Sequence, residues 1–162
     1  MLLNQLHVKS PQGHYFPASL DQALQVVRDG MRQKYQGGTE FTSPMLVKEY
    51  LWSQLASLEH EVFSAIFLDN QHRLLEYVVL FRGTLDQASV YPREVVKEAL
   101  RLNAAAVIFS HNHPSGSPDP SEADKLLTKH LKEALKLMEV RVLDHIIVAG
   151  SGTTSFAERG LL

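Results

Sequence analysis

The stretch from His111 to Asp124 reads HNHPSGSPDPSEAD, and both fold and chemistry turn on it. An apolar run, AAAVIF at residues 104–109, leads into it. A run this short and apolar, ending near a proline, predicts a buried strand. Side chains two apart on a strand point the same way. His111 and His113 therefore project together from the strand's end, and Asn112 faces the other side. Pro114 cannot continue a ladder, and Gly116, Pro118 and Pro120 keep the chain in a loop. Ser121 and Asp124 then open a helix. Two imidazoles and one carboxylate suit zinc, at about 2.0–2.2 Å. Three protein ligands leave a fourth position open, as a catalytic zinc requires and a structural one does not.

A plainer reading competes for two of these residues. S-x-x-D before an apolar helix is a capping-box variant, with Ser121 as N-cap and Asp124 at the third helical position. That reading accounts for both residues by itself. It does not account for two histidines on one strand face, aimed at a loop that leads back to a carboxylate.

At 162 residues the chain predicts one domain, with room for a small appendage, and enough length to bury a real core. The net charge of −2 gives no electrostatic footprint for nucleic acid. There is no cysteine, which excludes disulfides and thiolate metal sites. The start, MLLNQLHVKS, lacks a basic segment followed by a long apolar one, so no signal peptide is expected. No run approaches the ~18 apolar residues of a membrane span. The expected location is the cytoplasm.

Residues 1–40 are expected to form an N-terminal helical arm or appendage, and residues 41–162 the main domain. Leu2, Leu3, Leu6 and Val8 suit a short strand, which Pro11, Gly13 and Pro17 break. Ser19 caps a helix with Gln22 as its capping-box partner. Leu20, Ala23, Leu24, Val27 and Met31 recur at helical spacing and predict packing on the main domain. Gln36, Gly37 and Gly38 mark the one internal boundary. Ser43 and Pro44 start a second helix, with Val47, Tyr50, Leu51, Leu55 and Leu58 inward. Residues 62–68 and 74–81 predict a hairpin. A helix from Pro92 to about Asn103 turns Val95, Val96, Ala99 and Leu100 inward. The helix after the motif buries Leu127, Leu131, Leu135 and Met138 and leaves Lys125, Lys129, Lys132 and Lys136 as a solvated face. Residues 140–149 predict a last long strand, holding Asp144 and His145. His7, His14, His72 and His130 read as surface residues. Helices alternating with strands imply a helix-covered sheet. A hairpin followed by a helical crossover makes that sheet mixed.

The motif H-x-H-P followed by S-G-x-P-x-P-S-x-x-D resembles the JAMM signature of the JAB/MPN metalloprotease clan. The flanking text, LFRGTLDQASVYPREVVKEALRLNAAAVIFSHNHPSG and VRVLDHIIVAG…SFAERGLL, is similar to the RadC-like branch, and the likeness runs from about residue 41 to residue 162. The resemblance implies an α/β MPN fold: a curved mixed sheet flanked by helices, with zinc at its edge and an extra helix in front. It implies one zinc per chain on His111, His113 and Asp124, with Ser121 as a polar helper beside it. The clan also uses a glutamate on an earlier strand, and Glu61 in HEVFSAIFLD occupies the matching place. From the residues alone, Glu61 is an exposed strand-end carboxylate, and Glu59, Glu76 and Glu94 are rivals that spacing does not eliminate. Asp144 and His145 recur in the RadC-like pattern. One of them orienting a ligand imidazole from behind, or a structural hydrogen-bonded pair, are both open readings.

The activity so implied is that of a zinc-dependent metallopeptidase. It would cleave a peptide or isopeptide bond in a peptide or protein substrate, using a zinc-activated water and Glu61 as general base. A second reading is a DNA-repair-associated protein that binds or acts on DNA. Longer RadC-like members carry an upstream helix-hairpin-helix segment, and the front of this chain has neither the expected length nor a G-x-G pattern for one. A third is a metal-free interaction scaffold, against which the intact ligand set argues. A zinc nucleobase deaminase needs an H-x-E…P-C-x-x-C pattern, and the chain has no cysteine.

Overall fold

The middle of the molecule is a five-stranded sheet whose central strands are apolar on both faces. The structure is a computed structural model that describes residues 5–35, 40–41, 43–83, 90–150 and 152–162. The 36–38 break predicted above lies outside the described residues, as do Leu2 and Leu3. In chain order the elements are β1 (His7–Lys9), β2 (Tyr15–Pro17), α1 (Leu20–Tyr35), α2 (Pro44–Leu55), β3 (Val62–Leu68), β4 (Leu74–Arg82), α3 (Pro92–Arg101), β5 (Ala106–Asn112), α4 (Glu122–Lys136), β6 (Arg141–Ala149) and β7 (Gly152–Ser155). The main sheet has the order β4-β3-β5-β6-β7. Only β5 and β6 pair in parallel; the other neighbours are antiparallel. The mixed sheet expected from hairpin and crossover is thus observed, with α4 making the crossover.

Every residue of β3 and β5 is buried, because helices cover both faces. On one face Ile66, Leu68, Ala106, Ile108, Ile146 and Val148 pack with Val47, Tyr50, Leu51 and Leu55 of α2. On the other, Phe63, Ala65, Phe67, Val107 and Phe109 pack with Val95 and Ala99 of α3 and with Leu127, Leu131 and Leu135 of α4. The alternation along β3 and β5 is the two-residue period of a strand. It sends His111 to the α3/α4 face and Asn112 to the α2 face.

The helix starts follow their capping residues. Ser43 accepts from the Leu46 N–H, ahead of Pro44 at the first helical position. Ser19 and Gln22 bond reciprocally, Ser19 N donating to Gln22 Oε1 at 2.9 Å and Gln22 N to Ser19 Oγ at 3.2 Å. Asn103 stops the chain after α3 with a positive φ of 51°, a conformation asparagine tolerates.

Four expectations need correction. Pro11 and Gly13 do not merely interrupt a strand. They turn the chain between β1 and β2, which pair as a separate antiparallel hairpin. Leu20 and Val27 of α1 are exposed, at 75% and 44%. That helix reaches the body through its last turns: Tyr35 is fully buried and stacks on Phe41, and Arg28 bonds Ser53 O and Ser57 Oγ. Leu100 and Met138 are likewise exposed, since Val95, Ala99 and Leu135 already fill the core under their helices. His72 is half-buried instead of solvated, beside a cavity of about 300 Å³ lined by Phe41, Val47, Ile108 and Ile146.

Candidate metal centre

The site is built where the middle strand ends and α4 begins. His111 is the penultimate residue of β5 and is fully buried. His113 lies just past the strand, but its N–H still donates to Val148 O at 2.9 Å, so the parallel ladder with β6 runs on one step. That keeps both imidazoles on the same face. The turn after Pro114 closes when Gly116 N donates to His113 O at 3.0 Å, and Gly116 has a φ of +80° that favours glycine. The loop then delivers Ser121 and Asp124 to the same place.

Ser121 and Asp124 form a complete capping box. Asp124 Oδ2 accepts from Ser121 N at 2.8 Å and from Ser121 Oγ at 2.7 Å, and Asp124 N donates to Ser121 Oγ at 3.1 Å. The capping reading and the ligand reading are compatible, because the box uses only one carboxylate oxygen for capping. Asp124 Oδ1 faces His111 Nε2 at 3.4 Å, and Oδ2 lies 3.6 Å from His113 Nε2. The two Nε2 atoms are 2.9 Å apart. Each of the three residues offers a ligand atom, and these atoms all lie within 4.8 Å of one another. His113 Nδ1 is 2.8 Å from Ser117 O. A carbonyl only accepts, so Nδ1 carries the hydrogen and Nε2 of the neutral ring is a bare lone pair. Two imidazole nitrogens and a carboxylate turned inward on one point fit a divalent transition metal, with zinc among the best matches.

The electrostatics agree with that fit. Burial pushes the Asp124 carboxyl up, but the His111 and His113 rings that face it and the Ser121 hydroxyl outweigh burial and hold the group well below the usual carboxylate range. The Asp124 carboxylate raises His113 against the opposing effect of burial, and the Ser117 carbonyl and the Glu61 charge add to it. His145 is held well below the ordinary imidazole value, chiefly by its complete burial.

Glu61 is brought to this cluster by register. Phe63 pairs with His111 across the antiparallel β3–β5 ladder. Continuing that register by two residues sets Glu61 opposite His113. Its main chain is pinned there. Gly83 N donates to Glu61 O at 2.9 Å, and the Asn112 side chain holds both flanks. Asn112 Oδ1 accepts from Val62 N at 2.8 Å, while Nδ2 donates to His60 O at 3.0 Å and Leu58 O at 3.2 Å. The rivals are placed elsewhere, except one. Glu76 pairs with Phe67 at the other end of β3 and is bonded to Arg101 at 2.8 Å. Glu94 is bonded to Lys97 on the surface of α3. Glu59 lines a groove of about 410 Å³ beside His113, with Leu58, Asn112, Pro114, Gly116 and Val148.

Asp144 and His145 part company. His145 Nε2 is 2.7 Å from His111 Nδ1, so His145 backs the His111 imidazole. Asp144 points away and accepts from His145 N, Ala157 N and Ser155 Oγ, fastening the chain after β7. Asp144 orients no imidazole; it keeps the structural reading, bonded to His145 through the main-chain N–H at 2.7 Å and not through the ring. Sequence reasoning missed Thr128, whose Oγ1 lies 2.6 Å from His145 Nδ1. The available signal was its position four residues after Asp124, on the same face of α4. Among the described residues, no helix is long and apolar enough to cross a membrane.

Comparison with known proteins agrees with this architecture. A sequence model of the RadC-like JAB domain matches residues 41–161. A UPF0758 protein of Vibrio cholerae is 57% identical over 139 residues, covering 86% of this chain and 87% of that protein. UPF0758 proteins of Methylibium petroleiphilum and Leptothrix cholodnii are 59% and 54% identical over 145 residues, covering 90% of this chain. The chain spans only 65% of the length of those two relatives. A five-stranded mixed sheet with a His111–His113–Asp124 cluster at the end of its middle strand, and a family match over most of the length, lead to one assignment: the chain belongs to the RadC-like JAB-domain family.

Proposed function

We propose that this chain is a zinc-dependent hydrolase of the metallopeptidase type, cleaving a peptide or isopeptide bond. The observation that carries the reading is the convergence of His111 Nε2, His113 Nε2 and the Asp124 carboxylate within 4.8 Å at a strand end. Zinc, when bound, supplies a Lewis acid and lowers the pKa of water from 15.7 to about 7. Glu61, opposite His113 in register, is the general base. Its carboxylate takes the proton of the attacking water and gives it to the leaving amine as the C–N bond breaks. Such acid–base catalysis contributes typically ~10²–10⁴-fold. Ser121 stabilises the developing oxyanion. Its hydroxyl hydrogen now rests on Asp124 Oδ2; when it turns to the substrate, Ser121 N still holds that oxygen. The groove beside His113 receives the chain of a peptide or protein substrate.

The test pairs elemental analysis of the purified protein with a peptide-library hydrolysis screen. One zinc per chain and metal-dependent cleavage are expected. The same donor set serves iron in oxygenases, so iron in place of zinc, or hydrolysis indifferent to chelation, overturns the reading. His113→Ala should lose the metal, and Asp124→Asn should weaken it because a neutral amide is the poorer ligand. Glu61→Gln should keep metal and fold and lose turnover by at least ~10²-fold. Normal turnover in that variant moves the base to Glu59, the carboxylate that lines the same groove. Loss of zinc makes Glu61 a ligand.

A further inference from the structure

We infer that Thr128 and His145 form a buried hydrogen-bond relay that fixes the tautomer of His111 and holds its Nε2 lone pair toward the metal position. The inference deepens the metal reading above and is decided atom by atom. Thr128 Oγ1 lies 2.6 Å from Asp124 O and 2.6 Å from His145 Nδ1. A carbonyl only accepts, and a hydroxyl has one hydrogen. That hydrogen goes to Asp124 O, so Thr128 Oγ1 accepts from His145, and His145 Nδ1 carries a hydrogen. His145 is fully buried among Phe63, Phe109 and Phe156, with ring centroids 5.5, 6.1 and 4.6 Å away. Both its nitrogens face neutral groups, so a charged ring would be buried without a counter-charge. The neutral ring has its one hydrogen on Nδ1, and its Nε2 is an acceptor. His111 Nδ1, 2.7 Å from that Nε2, must be the donor. What remains on His111 is a bare Nε2, aimed at His113 Nε2 and Asp124 Oδ1.

The relay therefore begins at the main chain of one ligand, Asp124, and ends at the ring of another, His111. It passes from α4 through β6 to β5. Ser117 O does the same service for His113 from the loop. With both imidazoles presenting bare Nε2 atoms, the pair repels itself until a cation sits between them. Thr128 and His145 touch no reacting atom; they are positioning residues. Partners behind a metal-bound histidine typically matter by ~10–100-fold in affinity.

The experiment compares wild type, Thr128→Val and Thr128→Ser. Valine keeps the shape and removes the hydroxyl; serine keeps the hydroxyl. Two-bond ¹⁵N–¹H correlation spectra of metal-free protein, about two pH units above the ordinary histidine value of ~6.5, read the tautomers directly. Zn²⁺ affinity is read by competition with a chromophoric chelator, and a denaturation curve checks folding. Wild type should show hydrogens on Nδ1 of both His111 and His145. Thr128→Val should mix the tautomers of both rings and weaken Zn²⁺ by about 10–100-fold, and Thr128→Ser should stay within a few-fold of wild type. A wild-type His111 protonated on Nε2 overturns the relay, as does a folded Thr128→Val protein with unchanged tautomers and affinity. Should valine fail to fold, the wild-type spectra still decide between the two tautomers. Failure of the zinc reading is distinguishable: no Zn²⁺ bound by wild type while the spectra show the expected tautomers sinks the metal, not the relay.

Discussion

At His113 a proton and the proposed metal would compete for one lone pair. Ser117 O occupies Nδ1, so either cation must come to Nε2. Asp124 raises the proton affinity of that nitrogen above the ordinary value of 6.5. In the metal-free protein, a raised histidine contributes stability that is fully present below 6.5 and lost as pH rises through its raised value. Asp124 is held below its ordinary 3.8, so its contribution is present above 3.8 and lost as pH falls through its own depressed value. Between those limits the pair is a carboxylate beside an imidazolium, and a metal must expel the imidazolium proton to bind. The apparent zinc affinity should therefore rise with pH by about tenfold per unit below the raised His113 value, and level off above it. Chelator competition between about pH 5 and about pH 8 reads this slope, across the histidine range. An affinity flat over that window would mean that no proton leaves His113.

At the scale of elements, β5 supplies two tools on opposite faces. His111 goes to the α3/α4 side, where it meets His113 and Asp124, and Asn112 goes to the α2 side, where it clamps the segment that carries Glu61. The strand, its alternation, and the helix opened by Ser121 were legible, because period two and capping chemistry are local rules. The His111–His113–Asp124 cluster was legible for the same reason: its three members sit within one strand–loop–helix unit. Glu61 was not, since it lies fifty positions before His111, and only the β3–β5 register brings it opposite His113. Spacing in sequence carries no register between distant strands, so the residues alone left Glu59, Glu76 and Glu94 in play. Thr128 was hidden differently: on an amphipathic helix it reads as one more position on the inner face. The α1 stripe was legible in part: Met31 packs on the core and Ala23 and Leu24 are half-buried, but Leu20 and Val27 stay exposed, because helical spacing states a face and not how much of it is covered. The Asn112 clamp has a direct consequence. Asn112→Ala strips the buried Val62 N–H and two carbonyls of their partner, at a cost of about 1–3 kcal/mol for the buried donor alone. Urea denaturation should show that loss. The variant should keep its metal, because His111 and His113 stay on the other face, but lose turnover as Glu61 drifts. An unchanged urea midpoint would show that the clamp carries no weight.

At the scale of the whole molecule, charge and core lead to separate expectations. The net charge is −2, yet Lys129, Lys132 and Lys136 make no ion pair among the described residues, and they border a surface groove of about 470 Å³. Such a stripe without interleaved aromatics should bind DNA weakly and without sequence preference, with an affinity that falls steeply with salt. Anisotropy titrations at physiological salt read this, and a specific nanomolar complex would favour the DNA reading. The core makes the stronger demand. One apolar cluster lies on each side of the sheet, built from Ile66, Ile108 and α2 on one face and from Phe67, Phe109, α3 and α4 on the other. The metal cluster sits at the end of the middle strand, and neither apolar cluster needs it to close. A small zinc domain folds only with its metal because it has no such core; this chain should fold without it. Bound zinc at about a hundred times its dissociation constant adds ~2.7 kcal/mol. For a domain of this size each kcal/mol is worth about 2–4 °C in Tm. Chelation should therefore lower Tm by about 5–10 °C and leave one cooperative transition. Far-UV circular dichroism at room temperature should stay unchanged, since every helix and strand keeps its packing. Collapse of that signal on adding chelator would mean that the two clusters do not suffice, and that the metal belongs to the fold as well as to the chemistry.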